Sequence, residues 1–291
     1  MTTVLPDLGG WSAEDTTVSE VERQLSSLRA EAEGTAQRTA VMTHMAWVPP
    51  GWEEAALDTL SGLQERHPSR TIVLLPDPGG PDQIDAVIAM RCFSMPGQER
   101  TICSEVITLH LLGSRTVAPA SVVLPLLIPD LPAFLRWRGQ PQFGDTEFEG
   151  LVDVVDRLIV DSTEWDDLPA AYERFTGVFE RTAASDIAWE RTERWRHQLA
   201  SLWPGIADLR RIKVRGTAAQ AHLIAGWLRS RLERPVELEH EPAERLEGVE
   251  VDGEAAPFPP GDPPRSSDLL SGQLDQFGRD PVYEAAVRAA A

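Results

Sequence analysis

Cysteine and lysine are nearly absent from this 291-residue chain. It holds two cysteines, and Lys213 is the one lysine among its 27 basic residues. So few thiols exclude a disulfide scaffold and any zinc site built mainly from thiolates. Chemistry that needs a lysine amine has a single position open to it. Also missing is an apolar run of about 20 residues, so no segment reads as a membrane-spanning helix. Residues 1–10 combine neither a basic region nor an apolar stretch, so a secretory signal is not expected and the cytosol is the expected compartment. Positive charge is in deficit. Acids number 46 and the formal charge is −19. That balance argues against nucleic acid or an anionic membrane as partner, because either would need a positive working face.

The sequence lacks the common motifs of catalysis and cofactor binding. No G-x-G-x-x-G follows a strand, and Asp77-Pro-Gly-Gly-Pro has the wrong spacing, with prolines that remove amide donors. Neither G-x-x-x-x-G-K-[ST], G-x-S-x-G nor H-E-x-x-H occurs. The six histidines are scattered without ligand spacing. Asp166-Asp167 and Glu53-Glu54 read as helix-start acids, which the positive end of the helix dipole favours. No cofactor, no metal and no catalytic residue are therefore assigned, and the odds shift toward a protein that acts by binding.

What is present is an ordinary globular composition, 42% hydrophobic and 25% charged. At this length one large or two modest packed domains are expected. Apolar residues Val21, Leu25 and Leu28 predict a helix over 19–33. Residues 39–48 and the fully apolar 71–75 read as strands, with a helix over 52–64 between them. Continuous apolar strands suit a sheet covered on both faces. Residues 85–95 and 101–112 read as a hairpin bending at Gly97. A buried helix over 117–128, strands over 133–138 and 157–161, and a helix over 148–155 follow. Beyond these the pattern predicts helices over 168–182 and 189–203, and a half-exposed strand over 209–214. A helix over 218–233 capped by Thr217, a strand over 236–240, a Pro/Gly-rich loop over 252–266 and helical turns over 269–290 complete it. The expected fold class is α/β: an N-terminal Rossmann-like mixed sheet with an inserted antiparallel hairpin, plus a smaller α+β C-terminal domain. The expected domains are a helical segment 1–37, an α/β domain 38–163 and an α+β domain 164–291.

Three constellations remain as candidate sites. Tryptophan is abundant, nine in all, and several lie beside arginine: Arg136-Trp137-Arg138, Trp189-Glu190-Arg191 and Arg194-Trp195-Arg196. Trp and Arg dominate interface hot spots. The same pattern also arises from core tryptophans flanked by exposed arginines. Cys92 and Cys103 lie on the two arms of the hairpin, and a two-residue turn at Gly97-Gln98 places them face to face. They read as two buried thiols in a reducing compartment or, alternatively, as a redox pair. His67, Ser69 and Arg70 form a polar turn entering a buried strand. Such turns carry ligand sites in α/β folds, and they also serve as plain turn chemistry. Charge is uneven as well. Residues 181–234 carry eleven basic groups against five acids. This stretch reads as a solvated face, or as a positive surface for an acidic partner or a phosphorylated metabolite.

Several strings resemble one known family, the glucose-6-phosphate dehydrogenase assembly proteins, OpcA. They are Arg38-Thr-Ala-Val-Met, His67-Pro-Ser-Arg-Thr-Ile-Val-Leu, Cys103-Ser-Glu-Val-Ile-Thr-Leu, Leu131-Pro-Ala-Phe-Leu-Arg-Trp-Arg-Gly, Asp156-Arg-Leu-Ile-Val-Asp-Ser, the Trp195-Arg196 segment and Asp280-Pro-Val-Tyr-Glu-Ala-Ala. Arg136 departs from the pattern, which has a second tryptophan before Trp137. The resemblance implies a non-catalytic protein that binds the glucose-6-phosphate dehydrogenase oligomer and raises its activity, in cyanobacteria and actinobacteria. It also implies redox sensitivity in some members, which here would fall to Cys92 and Cys103. Contact candidates are Arg136, Trp137, Arg138, Trp195 and Arg196. The alternative expectation is an enzyme or sensor for a sugar phosphate that uses the basic 181–234 region.

Overall fold

The computed structural model describes residues 10–32, 37–38, 40–56, 63, 67, 69–94, 101–262, 264 and 266–291. The chain divides into two compact units, Met1–Leu158 and Ile159–Ala291.

In the first unit a mixed sheet forms from β1 (Gly10–Ala13), β2 (Gln37–Arg38), β3 (Thr43–Trp47), β4 (Arg70–Asp77), β5 (Ile84–Ser94), β6 (Thr101–Leu112) and β7 (Ala133–Trp137). Its order is β1-β5-β6-β4-β3-β7, with β2 paired to β6. The pairs β6–β4, β4–β3 and β3–β7 are parallel, whereas β5–β6 and β1–β5 are antiparallel. Every residue of β3 and β7 is buried. Parallel strands covered on both faces produce such runs. In β5, by contrast, Ile84, Ala86, Ile88 and Met90 are buried while Val87 is exposed, the alternation of a strand with one wet face. The hairpin register sets Cys92 opposite Cys103 and Ile84 opposite Leu111. The bend expected at Gly97 lies outside the described residues, as does most of the helix expected over 52–64.

Helix α1 (Val18–Ala32) packs on β5. Its stripe Val21, Leu25 and Leu28 is buried, each side chain contributing about 1.5–3 kcal/mol by leaving water. The single helix expected over 117–128 is not what forms. Pro119 opens α2 (Pro119–Val123) at its first turn, and Leu124–Leu126 tightens into a 3-10 turn. Pro125 lacks the N–H that a continuing α-helix needs. Helix α3 (Thr146–Val152) follows β7 and buries Phe148, Leu151 and Val152.

Strand β8 (Arg157–Val160) carries the chain into the second unit, where β9 (Ala183–Asp186) lies beside it. Between them run α4 (Ala170–Phe175) and a 3-10 turn. Residues expected as one helix over 189–203 form two, α5 (Ile187–Arg191) and α6 (Glu193–Ala200). A second sheet has the order β11-β10-β12-β13. Its strands are β10 (Arg211–Gly216), β11 (Glu237–Pro242), β12 (Gly248–Val251) and β13 (Glu254–Ala255). Helix α7 (Ala218–Leu232) connects the parallel pair β10–β11. Thr217 and Gln220 make a reciprocal capping box at its start, satisfying two otherwise orphaned amides. Strand β10 buries Ile212 and Val214 and turns Lys213 and Arg215 outward toward acids of β11, so its charge alternation is a solvated ladder. Helices α8 (Ser266–Leu274) and α9 (Pro281–Ala290) complete the unit, and α9 packs closely on α7. Strands β12 and β13 escaped the sequence reading because one lies in an acid-rich stretch and the other in the Pro/Gly-rich loop. No helix among the described residues is long and apolar enough to cross a membrane.

Candidate functional site

Much of the chemistry-bearing sequence of the second unit converges under one surface. The string Asp156-Arg-Leu-Ile-Val-Asp-Ser ends with Asp161 and Ser162 at the end of β8. Asp186 ends β9 and caps α5. Its Oδ1 accepts from the backbone N–H of Ser162 at 3.0 Å and of Ala188 at 2.8 Å, and its Oδ2 lies 2.5 Å from Ser162 Oγ. Ser162 Oγ lies 2.8 Å from the Tyr172 hydroxyl. Ser162, Tyr172, Asp186 and Tyr283 are all fully buried. Burial, and then the neighbouring charge of Asp161, raise the Asp186 carboxyl to about 7. Burial and Asp186 together push both tyrosine hydroxyls up. The network is closed to solvent.

Asp161 bridges this interior to the surface. Both its oxygens accept from Arg191, at 2.9 and 2.8 Å, and Thr163 donates to it at 2.6 Å. Arg191 ends α5 and lines a cleft of about 630 Å³, together with Arg194, Trp195, Arg245 and Phe258. The buried Gln220 side chain of the capping box also faces this cleft. Trp195 is 5% exposed and meets Phe258 edge-on at 5.4 Å. Arg194 donates to the carbonyls of Pro259, Pro260 and Gly261, clamping the loop that carries Phe258. Arg196 stacks on the Trp189 ring at 3.5 Å, and Trp189 Nε1 donates to Asp280 at 3.1 Å. A guanidinium over an indole face is held by the ring quadrupole. Thus Trp195 and Arg196 lie on one short helix, Trp195 against the cleft and Arg196 on Trp189.

The other candidates belong to the first unit. Arg136 and Trp137 are buried at 2% and 3% exposure in β7. Trp137 stacks on Trp47 at 5.0 Å and meets Phe148 edge-on at 5.0 Å, so its ring is spent on core packing. Arg138 is half-buried, lies over the Trp52 ring at 5.7 Å and donates to the Ala55 carbonyl. A partner docking on the folded unit reaches Arg138, but neither Arg136 nor Trp137 directly.

His67, Ser69 and Arg70 are likewise buried. Arg70 pairs with Glu105 at 2.8 Å and donates to the Leu126 carbonyl, and Arg29 forks onto the same Glu105 at 2.7 and 2.8 Å. Ser69 lies 3.3 Å from Thr71 Oγ1. The turn is thus built into an internal ion-pair network. Beside it, burial and then the electrostatic influence of His67 and Arg136 lower the His44 imidazole to about 4, which keeps it neutral. Cys103 is buried and disulfide-bonded, which corrects the expectation of free thiols. It stands opposite Cys92, and the chain has no third cysteine. Among the described residues no cluster of three or more histidine, cysteine or acidic side chains is arranged to hold a metal.

Sequence reasoning missed Arg245, Phe258 and Asp186. Arg245 and Phe258 lie 50 or more residues from Arg191 in the chain, and nothing local marks them. Asp161 and Ser162, by contrast, were visible as the end of a specific string.

Fold and site together define a two-unit α/β protein whose second unit presents an arginine- and aromatic-lined cleft over a sealed polar interior. A model described as the glucose-6-phosphate dehydrogenase subunit N-terminal domain matches residues 61–176, and one described as the C-terminal domain of that subunit matches residues 182–258. The chain belongs to the OpcA family. It is 28% identical over 181 residues to the "Putative OxPP cycle protein OpcA" of Synechococcus elongatus, covering 58% of this chain and 41% of that protein. The protein of the same name from Nostoc punctiforme is 28% identical over 188 residues, covering 60% and 40%. That of Synechocystis is 24% identical over 225 residues, covering 73% and 47%. The chain thus spans less than half the length of these relatives. No solved structure matches it.

Proposed function

We propose that this chain is a non-catalytic assembly factor and allosteric activator that binds the glucose-6-phosphate dehydrogenase oligomer in the cytosol and serves the oxidative pentose phosphate pathway. The observation that carries the reading is the pairing of the two family matches with the second unit's surface. Its open cleft is lined by residue types that dominate protein interfaces, while its most perturbed titratable groups are sealed away from any substrate. A binder of this kind acts by population shift. It holds the active arrangement of the dehydrogenase more tightly than the inactive one, and a differential affinity of about 1–3 kcal/mol changes the balance roughly 5- to 150-fold.

The test is kinetic. The dehydrogenase from the same organism is assayed with and without this chain across substrate concentrations, and the mixture is run on a sizing column. The reading expects comigration together with a changed half-saturation constant or a more persistent oligomer. Unchanged kinetics and separate elution would refute it. Turnover of a sugar phosphate by the isolated chain would point instead to an enzyme.

A further inference from the structure

The 630 Å³ cleft does not stand alone. A second cavity of about 300 Å³ shares Trp195 and Phe258 with it, and reaches Lys213, Arg215 and Ala256. A third, of about 280 Å³, shares Ala255 and Ala256 with the second and is walled by Leu202, Ile206, Val251 and Pro257. The three therefore form one run along residues 255–258. Its first end is cationic. Arg245 there is 81% exposed, and the partner it meets, Glu247, is 3.8 Å away and also pairs with Arg215 at 3.2 Å. In the middle Lys213 and Arg215 stand among Glu241, Glu247 and Glu250. The far end is lined mainly by aliphatic side chains, with Glu254 as its one charged wall residue. Along the same stretch Phe258 is 66% exposed.

We propose that this groove receives an extended, carboxylate-bearing segment of the protein partner, with its acid at Arg245 and an aliphatic or aromatic side chain at the Leu202–Ile206 end. The inference rests on the assembly-factor reading above and deepens it by naming the surface and the chemistry that fits it. Three features favour an extended peptide over a compact metabolite. The groove is a chain of three cavities that share wall residues, its arginine-lined and mainly aliphatic ends are separated by a stretch where cations and acids mix, and the large aromatic Phe258 stands exposed in its wall. Exposed aromatics rimmed by polar residues mark binding surfaces. At the arginine-lined end the exposed Arg245, whose partner Glu247 lies 3.8 Å away, favours an acidic side chain over a basic one. The Arg194 clamp on the carbonyls of Pro259, Pro260 and Gly261 fixes the wall that carries Phe258, so little ordering remains for binding to supply.

Biolayer interferometry of immobilised dehydrogenase tests the proposal with four full-length proteins: wild type, Phe258→Ala, Arg245→Glu, and Val87→Ala as an exposed apolar control in the first unit. Circular dichroism first establishes that each is folded. Both groove variants are expected to raise Kd about tenfold or more, and the control to change it by no more than about twofold. Added salt should weaken wild type and Phe258→Ala, and weaken Arg245→Glu less. If wild type binds and both groove variants bind equally well, this inference fails while the assembly reading stands. If wild type does not bind, the assembly reading fails and takes the inference with it. Inorganic phosphate titrated into the isolated chain supplies the last arm. Phosphate binding that Arg245→Glu abolishes, with dehydrogenase binding untouched, would assign the groove to a small anion and overturn the proposal.

Discussion

Asp186→Asn should change the way stability depends on pH, and the size of the change follows from the buried network. In the folded chain the Asp186 carboxyl titrates at about 7, against 3.8 for the free group. The folded state therefore holds the proton more tightly than the unfolded chain does. Stability from this group is full below the ordinary carboxylate range. It falls as pH rises through the window from 3.8 to about 7 and levels off above. A difference of this size corresponds to roughly 4 kcal/mol in all, of which about 3 kcal/mol falls between pH 5 and pH 8. Asparagine resembles the protonated acid. Its oxygen accepts from the amides of Ser162 and Ala188, and its NH2 donates to Ser162 Oγ where the neutral carboxyl would. The variant should then lie close to wild type at pH 5 and become more stable than wild type by about 2–3 kcal/mol at pH 8. Urea unfolding of both proteins at half-unit steps from pH 5 to 8 reads the difference directly. A gap between them that stays constant across that range would refute the claim that Asp186 is protonated by burial.

Two further outcomes are expected from packing. Gly226→Ala adds a methyl carbon that runs into the carbonyl of Ala286 and comes within 2.8 Å of Ala290, so helix α9 must move off α7. Alanine would gain about 1 kcal/mol in helix propensity, and the clash with backbone should outweigh it, for a net loss of about 1–3 kcal/mol. A thermal melt that rises would contradict that geometry. Glu105→Ala strips the shared acceptor from Arg70 and Arg29 inside the first unit, and should cost about 3–5 kcal/mol because a buried guanidinium loses its counter-charge. Denaturant midpoints measure it, and a loss under about 1 kcal/mol would mean the pair is far more solvated than its burial implies.

How much of this was legible beforehand depended on how local each signal was. Helix α1, capped α7, apolar β4 and the hairpin register were readable, because periodicity, a capping box and a two-residue turn act within a few residues. Residues 117–128 carry a helical apolar pattern that Pro125 interrupts, β9 is Ala-Ala-Ser-Asp with no apolar alternation, and β12 and β13 lie in an acid-rich stretch and a Pro/Gly-rich loop. The Trp/Arg strings were visible as strings, but their fates were not. Trp137 enters the core against Trp47, whereas Arg196 stacks on Trp189 and Trp195 walls the cleft.

The sequence by itself determined the α/β class, the facing cysteines and the OpcA membership, since each rests on order along the chain. Only the tertiary structure decided that Arg70 is an internal ion-pair partner and that Arg191, Arg245 and Phe258 share a cleft. It alone decided, too, that Asp186 keeps its proton near neutrality. The physical reason is common to all of these. Exposure, dielectric and counter-charge are set by groups brought together from distant parts of the chain, as Trp189 and Asp280 are across 91 residues, and no local pattern encodes such neighbours.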